Sequence, residues 1–300
     1  MLNEKLSEII TFFIKDFIEI LILLFVMIFV VGILRTYVSK DKIKKKLSKK
    51  GFLKYITASS FGVITPFCSC SSIPIFMSFI KSGAPLGVSF SFLATSPLVN
   101  EFVIAIMFGL FGWKITLAYI LSGMLIGIIS GIIIDKLKLE KYIYSDFTLN
   151  ENKKEIKYKK FKQRLIFGLN EAKLIIKKLW IFIGIGVFIG AVIHNYVPTT
   201  LVENLMTKLG MFGVFFATIL GIPMYGNGSA ILPIVVELFN KGLPLGTVLA
   251  FMMSIVALSL PEAIILKKVM KPKLIGIYFG IVALGIVVIG YLFNILQSVL

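Results

Sequence analysis

Thr65-Pro66-Phe67-Cys68-Ser69-Cys70-Ser71-Ser72-Ile73-Pro74 is a polar, proline-bracketed segment that holds both cysteines of the chain and lies inside apolar sequence. The block around it, Leu53 to Ile80, is long enough to cross a bilayer once. Yet Pro66 and Pro74 enclose five hydroxyl or thiol residues. Proline removes a backbone donor and clashes with the preceding helical turn, so the pattern predicts two half-helices meeting at a break, with Pro66 and Pro74 marking it.

The surroundings decide the class. The chain has 300 residues, 58% of them hydrophobic, a mean hydropathy of +0.96 and several apolar runs near membrane-spanning length, which predicts an all-α integral membrane protein. The net charge of +17 suggests nucleic acid only if the basic residues form a stripe on a soluble fold. Here they cluster between apolar runs, with eight lysines in Lys40 to Lys54, thirteen basic residues in Lys136 to Lys178 and four in Lys267 to Lys273. That is the footprint of cytoplasmic loops facing anionic lipid, so membrane lipids are expected partners and nucleic acid is not. Met1 to Lys15 lacks the order of features of a cleavable signal, so the first span is expected to do the targeting. Two cysteines one residue apart make no disulfide framework.

The first apolar block, Ile9 to Tyr37, is followed by the broken block, by a third from Pro85 to about Leu110, and by a fourth from Trp113 to Ile134. In the fourth, Gly123, Gly127 and Gly131 form a face open to a neighbouring helix. Residues 1–134 read as a first membrane repeat, 135–173 as a basic cytoplasmic linker, and 174–300 as a second repeat. Leu209 to Phe239 is again interrupted, at Pro223 and Pro233. Pro74, Gly83, Pro85, Gly87 and Phe92 each match the residue 159 positions later, Pro233, Gly242, Pro244, Gly246 and Phe251, which points to an internal duplication.

If both large basic blocks are cytoplasmic, the three apolar blocks between them cross an even number of times. The broken one is then a hairpin that enters and leaves on the cytoplasmic side, and its counterpart in the second half enters from outside. This predicts two repeats of inverted topology, each with about three transmembrane helices and one re-entrant hairpin, in a multi-pass inner-membrane protein with both termini outside. Eight full spans are the alternative.

Irregular backbone at membrane depth is tolerated only inside protein or beside a wet cavity, so the two breaks should face each other. Half-helix N-termini near Ile73-Pro74 and Ile231-Leu232 would aim positive dipole ends at that centre. Cys68 and Cys70 are soft ligands suited to a thiophilic solute. Ser69, Ser71, Asn227 and Ser229 are candidate substrate contacts, although hydroxyls also cap helix ends and Asn227 between glycines is a turn former. Glu101 and Glu262, carboxylates inside apolar blocks, are the candidates for proton coupling; an interfacial pair with Lys267 or Lys268 is the plainer reading of Glu262. A single histidine disfavours a zinc site, so no metal and no cofactor are expected. No phosphate-binding glycine loop is present, so the chain is not read as an enzyme that hydrolyses nucleotide.

The segment Thr65 to Pro74, with Gly83-Ala84-Pro85-Leu86-Gly87 and Phe92-Leu93-Ala94-Thr95-Ser96-Pro97, resembles the predicted permease family of the ArsP-like and YraQ-like proteins. That resemblance implies a multi-span inner-membrane permease and, for relatives that export methylarsenite, efflux of trivalent organoarsenicals that bind thiols. It carries over only Cys68 and Cys70. Two thiols suit a species with two open valences better than arsenite, which takes three. Two other readings stand beside this one: a permease for a small anion or sulfur compound in which the cysteines are incidental, and a membrane thiol-disulfide oxidoreductase. The one-residue spacing strains an internal disulfide and disfavours the latter. Homo-oligomerisation is left open by the sequence.

Overall fold

The computed structural model describes parts of residues 14–36 and residues 51–65, 69–81, 83–144, 161–196, 210–224 and 235–299. Among these the chain is helical, and no named strand occurs. The apolar block Leu53 to Ile80 is two helices, α1 (Leu53–Ile64) and α2 (Ser69–Lys81). At 1.5 Å per residue, the 12 residues of α1 reach about 18 Å, roughly half of a bilayer's apolar depth. The break precedes Ser69, about one turn before the start expected at Ile73-Pro74, and Pro74 lies inside α2. As its sixth residue, Pro74 offers no N–H to the carbonyl of Cys70, so α2 forgoes one backbone bond in its second turn.

Next come α3 (Leu86–Leu98) and α4 (Glu101–Lys136), separated by an extended step at Val99 and Asn100. Asn100 caps α4 by accepting a hydrogen bond from the Val103 N–H at 2.9 Å. Within α4 the helix kinks at Gly112, whose φ of 73° only glycine adopts readily. A 3₁₀ turn, Leu139–Tyr142, follows α4, and α5 (Phe161–Tyr196) runs unbroken for 36 residues. Helix therefore extends into both ends of the expected linker: α4 includes Asp135 and Lys136, and α5 begins at Phe161.

The second half comprises α6 (Gly213–Gly221), helical residues 235–240, α7 (Leu245–Ala257), α8 (Leu260–Leu266) and α9 (Pro272–Val299). Its boundaries repeat those of the first half. Helix α7 opens and closes 159 positions after α3, and Pro85 and Pro244 precede them with φ/ψ of −55°/141° and −58°/138°. Gly83 and Gly242 share a left-handed φ, 79° and 89°. The step at Val99-Asn100 returns at Leu258-Ser259, and the kink at Gly112 returns as the gap between α8 and α9. Each half thus contains a second broken rod, α3 into the first turns of α4 and α7 into α8, which the sequence reading treated as continuous.

Three stretches among the described residues are long and apolar enough to span a membrane: Met107–Lys136, Leu245–Leu266 and Pro272–Gln297. The second, which contains the step between α7 and α8, is 82% buried, whereas the third is 28% buried. The stepped α7–α8 rod is therefore in the interior, and the continuous α9 lies on the outside. Glycines set the closest approaches. Gly131 lies against the Gly87 carbonyl and Gly290 lies 3.0 Å from that of Gly246, measured to the position a Cβ would take, so backbone meets backbone in both halves.

Several contacts fix which helix ends lie together. Gly62 packs on Thr95 and Ser96, while Gly123 packs on Val99 and Leu98 and Gly131 on Gly87, so α1 runs with α3 and α4 runs against it. The stretch after α4 meets the gap before α9: the Lys271 N–H donates to the Tyr142 carbonyl at 2.8 Å, and the Tyr144 N–H to the Val269 carbonyl at 3.1 Å. Gly285 of α9 packs on Ile126 of α4, the residue 159 positions earlier.

Candidate functional site

Cys70, Ser69 and Ser71 fall in the first turn of α2, at the break, and their side chains lie outside the described residues. Pro66 and Cys68, together with Asn227, Ser229 and Pro233, also lie outside them. Pro223 is in the turn that directly follows α6.

The backbone at the first break is held by hydroxyls. Thr65 Oγ1 donates to the Phe61 carbonyl at 2.7 Å, closing the end of α1. Ser72, fully buried in the first turn of α2, shares a hydrogen bond of 2.8 Å with Ser96 of α3. Ser59 of α1 bonds Thr95 of α3 at 2.6 Å and donates to the Met124 carbonyl of α4 at 3.2 Å. Tyr119 of α4, also fully buried, donates to the Leu98 carbonyl at 2.6 Å, which satisfies the end of α3. Each of these bonds joins a helix end or a second helix, so these hydroxyls locate the break.

The two carboxylates differ. Glu101 is the first residue of α4 and is exposed, so it is not a buried carboxylate. Position explains this: Asn100, buried, takes the capping role, and Glu101 follows it on the outer side of the first turn. Glu262 is the third residue of α8, only 1% exposed, and neither carboxylate oxygen has a hydrogen-bond partner among the described residues. Lys267 and Lys268 are exposed at the far end of α8, so an interfacial pair with either is not what Glu262 makes. Around it, α8 packs on α2 and α5. Tyr278 of α9 is also fully buried, and its hydroxyl too is unpartnered among the described residues. The Tyr278 ring is 5.0 Å from Phe90 of α3, which is 5.0 Å from Phe76 of α2. An aromatic line therefore joins α9 to the helix that carries Cys70.

One polar cluster was missed in the sequence. Asp135, near the end of α4, accepts from Lys54 Nζ at 2.8 Å, from the Tyr55 hydroxyl at 2.6 Å and from the Gly87 N–H at 2.7 Å. It ties together the starts of α1 and α3 and the end of α4. In the second half, Asn294 takes its position, and Gln297 accepts from the Leu245 N–H at 2.6 Å. A signal existed: an acid closing a long apolar run, 48 residues after a glycine that opens another helix. Only the fold says that these two meet.

Among the described residues, no group of three or more histidine, cysteine or acidic side chains is gathered as for a metal. Apolar helices of spanning length, with broken rods among them, fit an integral membrane protein. Residues 5–295 match the family model described as predicted permease, ArsP_1, and the chain belongs to that family. It is similar to a protein of Streptococcus mutans provisionally named a two-component membrane permease complex subunit, at 24% identity over 58% of each chain. The UPF0718 protein YcgR of Bacillus subtilis is 28% identical over 32% of this chain and 33% of its own. The UPF0718 protein MJ0584 of Methanocaldococcus jannaschii is 21% identical over 82% of this chain and 83% of its own. The matches to the first two thus span 58% and 33% of those relatives' lengths. No solved structure matches.

Proposed function

We propose that this permease exports a small thiophilic solute, a trivalent organoarsenical such as methylarsenite, by gradient-driven secondary transport across the inner membrane. The observation that carries the reading is the placement of Cys70 in the first turn of a helix that starts at a break in an apolar block, with Cys68 two positions before it. Two thiols condense with the two hydroxyls of methylarsenite, forming two As–S bonds and releasing two waters. Reversal on the far side returns the thiols and the diol. Ser69, Ser71, Asn227 and Ser229 are assigned to the lining of the same site, and Glu262 to proton binding.

Alternating access needs two gates, and the contacts favour a two-fold device. Asp135 holds the starts of α1 and α3 at one end, which supports the reading of α1–α2 as a re-entrant hairpin. Because α4 ends where α9 begins, while α7 begins where α9 ends, the second half is read as inverted. The basic stretches Lys136–Lys141 and Lys267–Lys273 then share the cytoplasmic face. On this reading residues 1–134 and 174–300 are the repeats, with 135–173 as the cytoplasmic linker, giving six spans and two hairpins. A second subunit or a second copy is a candidate partner, given the name of the streptococcal relative.

A small anion or sulfur compound is the second reading. The start of the 13-residue α2 inside the break favours it, since free N–H groups there can hold negative charge. Everted membrane vesicles separate the two when offered methylarsenite, arsenite and thiosulfate. Methylarsenite uptake that is lost in Cys68→Ser and Cys70→Ser supports the dithiol site. Parental rates in both variants would remove it.

A further inference from the structure

We infer that Ser96 is a positioning residue of the dithiol site: through its hydrogen bond to Ser72 it fixes the first turn of α2, and with it Cys70, so that both thiols can close on one arsenic atom. The inference rests on the dithiol reading above and deepens it.

Both sides of the break come to rest at one place on α3. Before the break, Gly62 of α1 packs on Thr95 and Ser96, the position its Cβ would take lying 3.2 Å from the Ser96 backbone nitrogen. After the break, Ser72 Oγ lies 2.8 Å from Ser96 Oγ, and both side chains are fully buried. Ser72 is the fourth residue of α2 and Cys70 the second, so one helical turn carries them as a unit. A hydrogen bond sealed from water is directional and meets no competing solvent, so it holds the rotation of that turn as well as its distance from α3.

The two halves separate this bond from ordinary helix packing. A second hydroxyl pair, Ser59 with Thr95 at 2.6 Å, joins α1 to α3 at the neighbouring residue. The chain has hydroxyls at both of those places 159 positions later, Thr218 and Ser254, so that pair serves the shared scaffold. At the places of Ser72 and Ser96 it has two isoleucines, Ile231 and Ile255, the latter buried. The hydroxyl pair is therefore particular to the half that holds Cys68 and Cys70, where a turn must be fixed more closely than apolar packing requires.

The need is chemical. Each thiol condenses with one hydroxyl of methylarsenite: an As–S bond forms, an As–O bond breaks, and the thiol proton leaves with that hydroxide as water, with no change of oxidation state. The second condensation is intramolecular, so its equilibrium depends on how well Cys70 is held against Cys68.

The purified full-length protein is titrated with methylarsenite while bound arsenic, remaining free thiols and the ultraviolet absorbance of As–S bonds are measured. The parent should lose two thiols per arsenic bound. Ser96→Ala should bind at least about tenfold more weakly. Ser96→Thr and Ser96→Val have the same shape and differ by one hydroxyl, so the threonine should recover most of the affinity and the valine should not. Ser59→Ala breaks the neighbouring pair and should lower Tm while binding as the parent does. Ser72→Ala cuts the same bond from the other side and should match Ser96→Ala, a reading that stands even where the Ser96 variants do not fold. Parental affinity in Ser96→Ala or Ser72→Ala, a valine variant that binds as tightly as the threonine one, or an equal loss in Ser59→Ala overturns the inference and leaves the dithiol reading intact. Fewer than two thiols lost per arsenic in the parent overturns both.

Discussion

Replacing Asp135 by alanine should loosen the whole first half, because one carboxylate holds three helix ends. Lys54 Nζ lies 2.8 Å from the carboxylate, and both side chains are 19% exposed. At an effective dielectric of about 20 the gross attraction is roughly 6 kcal/mol, most of it offset by the desolvation of both charges. What remains on deletion is a lost ion pair of about 1 kcal/mol, plus about 1 kcal/mol each for the Tyr55 hydroxyl and the Gly87 N–H left without their acceptor. The sum, about 3 kcal/mol, corresponds to a fall of roughly 6–12 °C in Tm. Asp135→Asn should cost about half as much, since the carboxamide keeps an acceptor. Thermal unfolding of the purified protein in detergent, followed by tryptophan fluorescence, measures both. A change below about 2 °C for Asp135→Ala would show that the cluster does not hold these ends together. The pairing itself is read from a double-mutant cycle with Lys54→Met, in which a coupling near zero refutes the ion pair.

Two further outcomes are expected. Gly131→Ala places a methyl against the Gly87 carbonyl, where no flexible side chain can yield, and should destabilise by about 2–3 kcal/mol; Gly109→Ala, with nothing within 4 Å, should change stability by less than about 0.5 kcal/mol, and equal Tm values for the two variants would contradict the close approach. Single cysteines placed at Lys81 and at Lys241 in a background with Cys68 and Cys70 replaced by serine should label from opposite sides of the membrane with an impermeant maleimide, and labelling from the same side would exclude the inverted arrangement.

Much of the scaffold was readable because it rests on local rules. Clustered lysines, apolar runs and the glycines at 123, 127 and 131 each carry a physical constraint that acts within a few residues, and the glycine face is where α3 packs. The break before Ser69 was also visible, since prolines and hydroxyls crowd there. The break at Val99-Asn100 was not. Thr95-Ser96-Pro97 precedes it, yet Pro97 sits inside α3 and the helix ends one residue later, so the proline signals the end without marking it. Burial was less readable still. Glu101 and Glu262 look alike in sequence, each beside or near a proline in an apolar block. One is exposed on a first turn and the other is sealed between helices, which depends on neighbours far along the chain.

Duplication supplies an internal control for assigning roles. Where both halves keep the same small residue or turn, as at Gly83 and Gly242 or Gly131 and Gly290, the position serves the fold, because both copies must build the same scaffold. Polar residues kept in one half alone need another reason. Cys68 and Cys70 stand where the second half has Asn227 and Ser229, and Glu262 stands where the first has Val103. A scaffold that folds with valine at that position has no structural need for a buried carboxylate there, and burying one is costly unless it is used or neutralised. On the proposed reading the thiols lie in the first half and the buried acid in the second, so the chemistry of the proposed site is divided between the halves. Relative movement of the two repeats would then change the distance between solute and proton sites, which is what coupling requires.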